Sequence, residues 1–189
     1  MHGRATERER EQEQEHEHDA MKNIEFKSEL RDIELARATC LILGARRGSV
    51  LHQTDEYVGV PEGRLKRRSE RVEGEPGTRV TWIWYDRADR LGPRSSSWTT
   101  LDDRQVEVRW ANLDCTVTRL IVKRREVWLL ENVRIHLDAV AGLGNYLEFD
   151  AVCGISDDPA EAKLKVGTLV EKFRPALGEL VSGSYADLA

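Results

Sequence analysis

The chain has 189 residues, of which 33% are charged and 6% aromatic, and its formal net charge is −5. This length fits one domain that can bury a core without disulfide cross-links. No apolar run approaches the roughly 20 residues of a membrane helix, and the three cysteines form no CxxC pair. We therefore expect neither a membrane partner, a disulfide framework nor a cysteine–zinc site, and we expect a reducing, cytoplasmic setting.

Most of the net charge lies in the first 20 residues, which hold three arginines and seven carboxylates. Because this segment has no apolar periodicity, we expect a disordered acidic tail over residues 1–20 and one domain over residues 21–189. That domain carries 26 basic and 27 acidic side chains. A basic site must then be a local concentration, and nucleic-acid binding is not expected even though residues 63–71 are basic.

The apolar patterning predicts an α+β fold. Residues 22–30 alternate between apolar Ile24 and Phe26 on one face and charged Glu25, Lys27 and Glu29 on the other, which indicates a strand. A helix is predicted at 33–43, with Asp32 as its N-cap and Gly44 beyond its end. Further strands are predicted at 50–60, 64–68, 79–86, 96–101, 117–125, 127–131, 133–138 and 146–152.

Two more helices complete the predicted elements. One covers residues 102–112, and the other begins at Asp158 and Pro159, a cap followed by proline at the first helical position. The inner face of this last helix is predicted to hold Ala162, Val166, Leu169, Val170 and Phe173. Helices with an apolar face need an apolar sheet face to pack against, and the strand face that carries Ile24 and Phe26 supplies one.

Charged residues occupy one face of strand after strand. A sheet with its polar face in water is one interpretation, but like charges along a solvated face gain nothing. If the sheet closes instead, the charged faces meet inside and must hold water, metal and an anionic ligand. The basic members are Lys27, Arg64, Lys66, Arg68, Lys123, Arg125 and Arg134, and the acidic ones are Glu25, Glu29, Asp138, Glu148 and Asp150. Arginine and lysine bind phosphate oxygens, and paired carboxylates bind Mg²⁺ or Mn²⁺, so this set suits a polyphosphate with a divalent metal.

Several motifs, in order along the chain, resemble those of the CYTH superfamily, the triphosphate tunnel metalloenzymes. Residues 23–27 (NIEFK) resemble its ExExK signature, and residues 53–57 (QTDEY) with 63–68 (GRLKRR) resemble its next segment. Residues 84–87, 122–125, 132–138, 148–150 and 184–188 resemble further family segments. Two positions depart from the pattern: Asn23 stands where the family has its first glutamate, and Asp150 where glutamate is usual.

The resemblance implies an eight-stranded antiparallel tunnel, closed like a barrel and flanked by helices, with a triphosphate inside. It implies Glu25, Glu148 and Asp150 as ligands of Mg²⁺ or Mn²⁺, and Asn23 raises the question of one metal or two. Lys27 and Asp138 are the expected catalytic residues. The expected substrate-binding residues are Arg64, Lys66, Arg68, Lys123, Arg125 and Arg134.

Three functions stay open at this point. The first is metal-dependent hydrolysis of an organic or inorganic triphosphate such as ATP, tripolyphosphate or thiamine triphosphate. The second is a class IV adenylate cyclase, which makes cyclic AMP and pyrophosphate from ATP. The third is a non-catalytic polyphosphate or nucleotide binder, favoured by the lost carboxylate at Asn23. A homodimer is also left open.

Overall fold

In the computed structural model, which describes residues 21–154 and 157–189, the strands form one antiparallel sheet that closes on itself. They are β1 (Met21–Leu30), β2 (Arg46–Val58), β3 (Arg64–Val72), β4 (Arg79–Arg87), β5 (Arg94–Leu101), β6 (Val117–Leu130), β7 (Val133–Val140), β8 (Gly144–Cys153) and β9 (Leu177–Leu180). Neighbours follow the order β5-β4-β3-β2-β6-β7-β8-β1, and β1 pairs with β5 to close an eight-stranded barrel. The predicted α+β tunnel fold is confirmed, with β9 added beside the end of β1.

Three helices flank the barrel: α1 (Ile33–Ile42), α2 (Asp103–Arg109) and α3 (Pro159–Phe173). The predicted caps form, because the Asp32 carboxylate accepts from the Leu35 N–H at 2.9 Å and Asp158 accepts from the Ala160 N–H at 2.8 Å. These contacts satisfy backbone donors that an uncapped helix leaves free. They fix where the two helices begin, and so how each lies on the barrel.

The main hydrophobic core lies outside the barrel, between the sheet and helices α1 and α3. The Phe149 ring stacks on Phe26 with centroids 5.7 Å apart and meets the edge of Phe173 on α3 at 5.3 Å. Side chains alternate along a strand, so this apolar face turns the other parity inward. The charged face therefore lies inside the barrel. A smaller cluster, which includes Leu65, Trp82 and Val106, packs α2 on the opposite wall.

Some element boundaries differ from the sequence prediction. Residues 117–130 form one strand rather than two, and within it the Glu126 carboxylate accepts hydrogen bonds from Arg37 of α1 and from Arg124. Helix α2 ends at Arg109, ahead of Asn112, whose φ is +63°. The short strand β9 was not predicted. The expected disordered tail at residues 1–20 lies outside the described residues.

Candidate active site

The barrel encloses a cavity of about 660 Å³. Among the described residues, eight basic side chains line it against four acidic ones. The basic residues are Lys27, Arg46, Lys66, Arg68, Arg87, Lys123, Arg125 and Arg134, and the acidic ones are Glu25, Glu70, Glu148 and Asp150. The interior is therefore a local concentration of positive charge in a chain that is negative overall, as the alternation argument predicted.

The two ends of this cavity differ. At one end the buried side chains of Tyr57, Tyr85 and Tyr185 close it, and Tyr185 belongs to a 3₁₀ turn near the C-terminus. At the other end Arg46 and Ser49, which also line the cavity, are exposed to solvent. The cavity is thus a blind tunnel, and we call the Arg46 end its mouth. A linear ligand would enter there and reach toward the tyrosines.

Near the centre of the tunnel, Asp55 of β2 holds three cations together. Arg68 donates to its two carboxylate oxygens at 2.6 and 2.7 Å, and the Nζ of Lys66 lies 3.0 Å from Oδ2. The Nζ of Lys123 lies 3.6 Å from the same oxygen. Burial alone would raise the pKa of Asp55, but the field of these cations holds it well below its ordinary value.

The pKa of each lysine in this cluster is lowered from its ordinary value. Burial, followed by the nearby Arg68, lowers the pKa of Lys66 to about 8, although Asp55 opposes the shift. Burial and Arg125 lower the pKa of Lys123 to about 7. The single carboxylate of Asp55 does not compensate the three buried cations Lys66, Arg68 and Lys123. An incoming anion would therefore raise the pKa of both lysines and favour their charged forms.

A second buried group lies on β6, β7 and β8. Arg125 donates to both carboxylate oxygens of Asp138 at 2.7 and 2.6 Å, and it also donates to Glu148. Asp138 is fully buried and accepts a third hydrogen bond from the Tyr185 hydroxyl at 2.8 Å. The Lys27 Nζ lies 2.9 Å from Glu148 Oε1 and 4.0 Å from the centroid of the Tyr185 ring. Asp138 thus fixes the orientation of Arg125 and does not itself line the cavity.

The three carboxylates expected to bind metal lie on two neighbouring strands, β1 and β8, where Glu25 pairs in register with Asp150. Each is matched by a cation: Glu25 accepts from Arg87 at 2.6 Å, Glu148 from Arg125 and Lys27, and Asp150 from Arg134. In the described part of the chain, no three His, Cys, Asp or Glu side chains already converge as a metal site would require.

The oxygen atoms that β1 and β8 present here are nevertheless suitable ligands for a hard divalent cation. The Asn23 amide donates to Asp150, and its own oxygen, Oδ1, is buried without a hydrogen-bond partner among the described residues. Carboxylate oxygens and one amide oxygen are ligands of the kind Mg²⁺ and Mn²⁺ take. Metal binding would require these ion pairs to open, which frees the arginines for phosphate.

Two residues assigned to the interior from sequence lie elsewhere. Arg64 does not line the cavity and instead reaches Asp89 at 2.6 Å and Asp187 at 3.2 Å, behind the closed end. Its assignment to substrate stays a prediction. Glu29 was wrongly placed inside, since its carboxylate accepts from the backbone N–H of Glu179 in β9. By contrast Arg67 faces outward as the alternation requires, and it pairs with Glu56 at 3.2 Å.

Sequence reasoning missed several interior residues. Asp55 and Tyr57 share the parity of Gln53, so the alternation along β2 could have found them. Arg94 was lost because the predicted strand began two residues late, at Ser96. It is buried on β5, opposite Glu25, and it donates to the carbonyl of Val181 at 3.2 Å. Tyr185 lies in the 184–188 segment that resembles the family, but no alternation places it in the tunnel, which it reaches through the path of the C-terminal segment.

The family model of the CYTH domain matches residues 21–185, and the chain therefore belongs to the CYTH family. The resemblance proposed from the motifs is confirmed. No curated protein matches the chain. In the described part of the chain, no helix has the length and apolar character needed to cross a membrane.

Solved structures share the fold at low sequence identity. PH1012 of Pyrococcus horikoshii OT3 is similar with a TM-score of 0.64 at 19% identity, over 88% of this chain and 98% of that one. A candidate adenylate cyclase of Vibrio parahaemolyticus gives 0.60 at 15% identity, over 88% and 96%. HpAC1 of Hippeastrum, a candidate adenylyl cyclase with a dominant triphosphatase activity, gives 0.56 at 12% identity, over 86% and 91%. At these identities the likeness establishes the barrel and no more.

Proposed function

We propose that this protein is a metal-dependent hydrolase that cleaves a triphosphate held inside the barrel. The observation that carries the proposal is the blind tunnel, where, among the described residues, eight basic side chains line the cavity against four acidic ones with Asp55 and Asp138 buried behind them, in a chain of net charge −5. Buried cations without enough counter-charge are costly, and a bound polyanion removes that cost. Membership of the CYTH family and the triphosphatase activity of HpAC1 support the same substrate class.

The tunnel suggests how the substrate lies. The phosphate chain would enter from the mouth and occupy the level of Lys66, Arg68 and Lys123, where the cations around Asp55 are close together. Arginine binds phosphate oxygens through two parallel hydrogen bonds, while lysine acts as a compact charge. The terminal phosphate would then approach Lys27 and Tyr185 at the closed end.

Hydrolysis needs little from the protein beyond position and charge. The oxygen of water bonds to the terminal phosphorus, the bridging P–O bond breaks, and the leaving phosphate takes the electron pair. The proton released by water goes to the phosphate product or to solvent. In this proposal Lys27 contacts the reacting phosphate, and Asp138 acts through Arg125, which it holds with two hydrogen bonds.

Glu25, Glu148 and Asp150, with the oxygen of Asn23, are the residues proposed to hold the metal. Bound there, Mg²⁺ or Mn²⁺ would neutralise phosphate charge and polarise the P–O bonds. Asn23 contributes no charge, so this wall would hold fewer negative charges than a fully carboxylate one.

The test incubates the protein with tripolyphosphate, ATP and thiamine triphosphate in Mg²⁺ or Mn²⁺ and separates the products. Release of orthophosphate from at least one substrate is the expected result. Cyclic AMP with pyrophosphate from ATP would instead identify a class IV adenylate cyclase. Tight binding with no product in either metal would identify a binding module, and both of these outcomes contradict the hydrolase.

A further inference from the structure

The wall of the tunnel changes character along its length, and this is clearest on β2. From the closed end toward the mouth, β2 places Tyr57, Gln53 and Leu51 on the cavity wall and Arg46 at the mouth itself, and Asp55 is buried between Tyr57 and Gln53. Inward residues two apart are about 7 Å from one another. The phosphate-binding level around Asp55 is thus followed, one step nearer the mouth, by a neutral amide and then by an apolar side chain.

The strands on both sides of β2 change in the same direction. On β3 the inward series passes from Arg68 to Glu70, and on β6 it passes from Arg125 to Val127 and Leu129. Glu70 and Gln53 are direct partners in the β2–β3 register. Between the cations around Asp55 and Arg46 at the mouth, these three strands therefore present acceptors and apolar groups to the tunnel.

Gln53 offers an unused acceptor at this boundary. It is 2% exposed and lines the cavity. Its Nε2 donates to the Glu70 carboxylate, while its Oε1 has no hydrogen-bond partner within residues 21–154 and 157–189. A buried acceptor is normally satisfied, so an unpaired one in a cavity wall marks a place for a donor. Phosphate oxygens cannot fill it, because they too are acceptors, and Glu70 repels them.

The backbone at the mouth makes room beside this acceptor. The register between β2 and β6 shifts between Arg47 and Val50, so Gly48 and Ser49 form an irregular segment opposite Val127. A Cβ at Gly48 would lie 3.1 Å from the Val127 carbonyl oxygen, which is tighter than ordinary contact. Glycine therefore allows β2 to lie close to β6 here, and Leu51, Val127 and Leu129 provide apolar surface beside it.

We propose that the mouth binds the organic part of the substrate, a nucleoside-like group whose hydroxyl or amino hydrogens are donated to Gln53 Oε1 and the Glu70 carboxylate. The apolar surface of Leu51, Val127 and Leu129 takes its carbon skeleton. This inference rests on the proposed function and narrows it, because it selects organic triphosphates over inorganic tripolyphosphate.

Dissociation constants for ATP, thiamine triphosphate and tripolyphosphate, measured by calorimetry in EDTA to prevent turnover, test this. Gln53→Met keeps the volume but removes the acceptor, and Glu70→Gln removes the charge. Thr54→Val, whose side chain lies on the other face of β2, is the matched control. We expect Gln53→Met to weaken ATP about three- to tenfold and to leave tripolyphosphate within about twofold. Glu70→Gln should tighten tripolyphosphate more than ATP.

The ratio of ATP to tripolyphosphate affinity is the decisive number, and both variants should lower it while Thr54→Val leaves it unchanged. An unchanged ratio in both variants, with both ligands still bound, would overturn the inference and leave the proposed function standing. If the wild-type protein bound neither ligand, in EDTA or with Mg²⁺, the proposed function would fail together with this inference. If Gln53→Met weakened the binding of ATP but not of thiamine triphosphate, the group that donates to Gln53 Oε1 would be assigned to the nucleoside.

Discussion

The guanidinium of Arg68 binds both carboxylate oxygens of Asp55, at 2.6 and 2.7 Å, across the β2–β3 pair. The same carboxylate holds Lys66 at 3.0 Å and Lys123 at 3.6 Å. In the empty tunnel Asp55 thus occupies the place at which three cations converge, and it keeps them oriented for a phosphate. Preorganisation of this kind lowers the cost of ordering long side chains when a ligand binds.

Replacing Asp55 with asparagine should destabilise the empty protein by about 3 kcal/mol, because it leaves three buried cations with no shared carboxylate. Tripolyphosphate should restore most of this loss, so the ligand-induced rise in melting temperature should be larger in the variant than in the wild type. Thermal unfolding with and without tripolyphosphate measures both effects. Glu56→Gln, which breaks the exposed pair with Arg67, should change stability by less than about 1 kcal/mol. Equal effects of the two substitutions would contradict the role given to Asp55.

Lys66→Ala or Arg68→Ala should weaken tripolyphosphate binding by roughly ten- to a hundredfold, since each removes a charge-assisted contact worth about 1.5–3 kcal/mol. Arg67→Ala should leave binding nearly unchanged, because this side chain lies on the outer face and pairs with Glu56. Calorimetric titration of the three variants gives the comparison. A similar loss in all three would mean that the charged faces of β3 act as ordinary surface.

The barrel could be predicted from the sequence because its alternation is unusually complete. Ile24 and Phe26 mark the outer face of β1, and Glu25 and Lys27 mark the inner face, so one strand already gives the parity of the wall. The short strand β9 could not be predicted, since the four residues Leu177–Leu180 carry no period of their own. They become a strand only because the second half of β1 offers a free edge.

The sequence predicted the interior position of a charged residue where alternation along one strand was enough. It could not predict contacts that depend on the register between neighbouring strands. Lys66, Arg68, Lys123 and Arg125 follow from alternation alone. The sharing of Asp55 among three of those cations depends on the register of β3, β2 and β6, which sequence does not state. Arg64 has the same parity on β3 as Lys66 and Arg68, but it lies beyond the closed end of the cavity, where it pairs with Asp89 and Asp187.

Tripolyphosphate binding should weaken as the pH rises above 7. Burial and Arg125 lower the pKa of Lys123 to about 7 from an ordinary 10.5, and burial and Arg68 lower that of Lys66 to about 8. A bound anion raises both values, so binding takes up protons above pH 7, and affinity should fall by up to about tenfold per pH unit for each lysine. Calorimetry in buffers of different ionisation enthalpy measures the uptake. Lys123→Arg, which stays charged, should remove the part of the slope that begins near pH 7.

The lowered pKa of Lys123 also makes the stability of the folded protein depend on pH. Between about pH 7 and 10.5 the unfolded chain keeps a proton on Lys123 that the folded chain has released. Stability of the empty protein contributed by this group should therefore rise with pH across that window and be flat below it. Denaturant unfolding of wild type and Lys123→Arg at pH 6.5 and 8.5 tests this. A wild-type protein whose stability, relative to the variant, falls between these values would contradict the lowered pKa.

Metal binding should depend on the carboxylates of β1 and β8. Asp150→Asn and Glu25→Gln each remove a charged oxygen ligand, and loss of a direct ligand should weaken Mn²⁺ at least as much as loss of an outer partner, about tenfold or more. Asp86→Asn, at an exposed position on the outer face of β4, is the control and should bind Mn²⁺ like the wild type. Electron paramagnetic resonance titration reads Mn²⁺ binding without turnover, and phosphate release in excess EDTA reads the need for metal. Full turnover in EDTA, or unaltered Mn²⁺ binding by Asp150→Asn, would remove this wall from the proposed mechanism, and the cations around Asp55 would then have to stabilise the leaving phosphate alone.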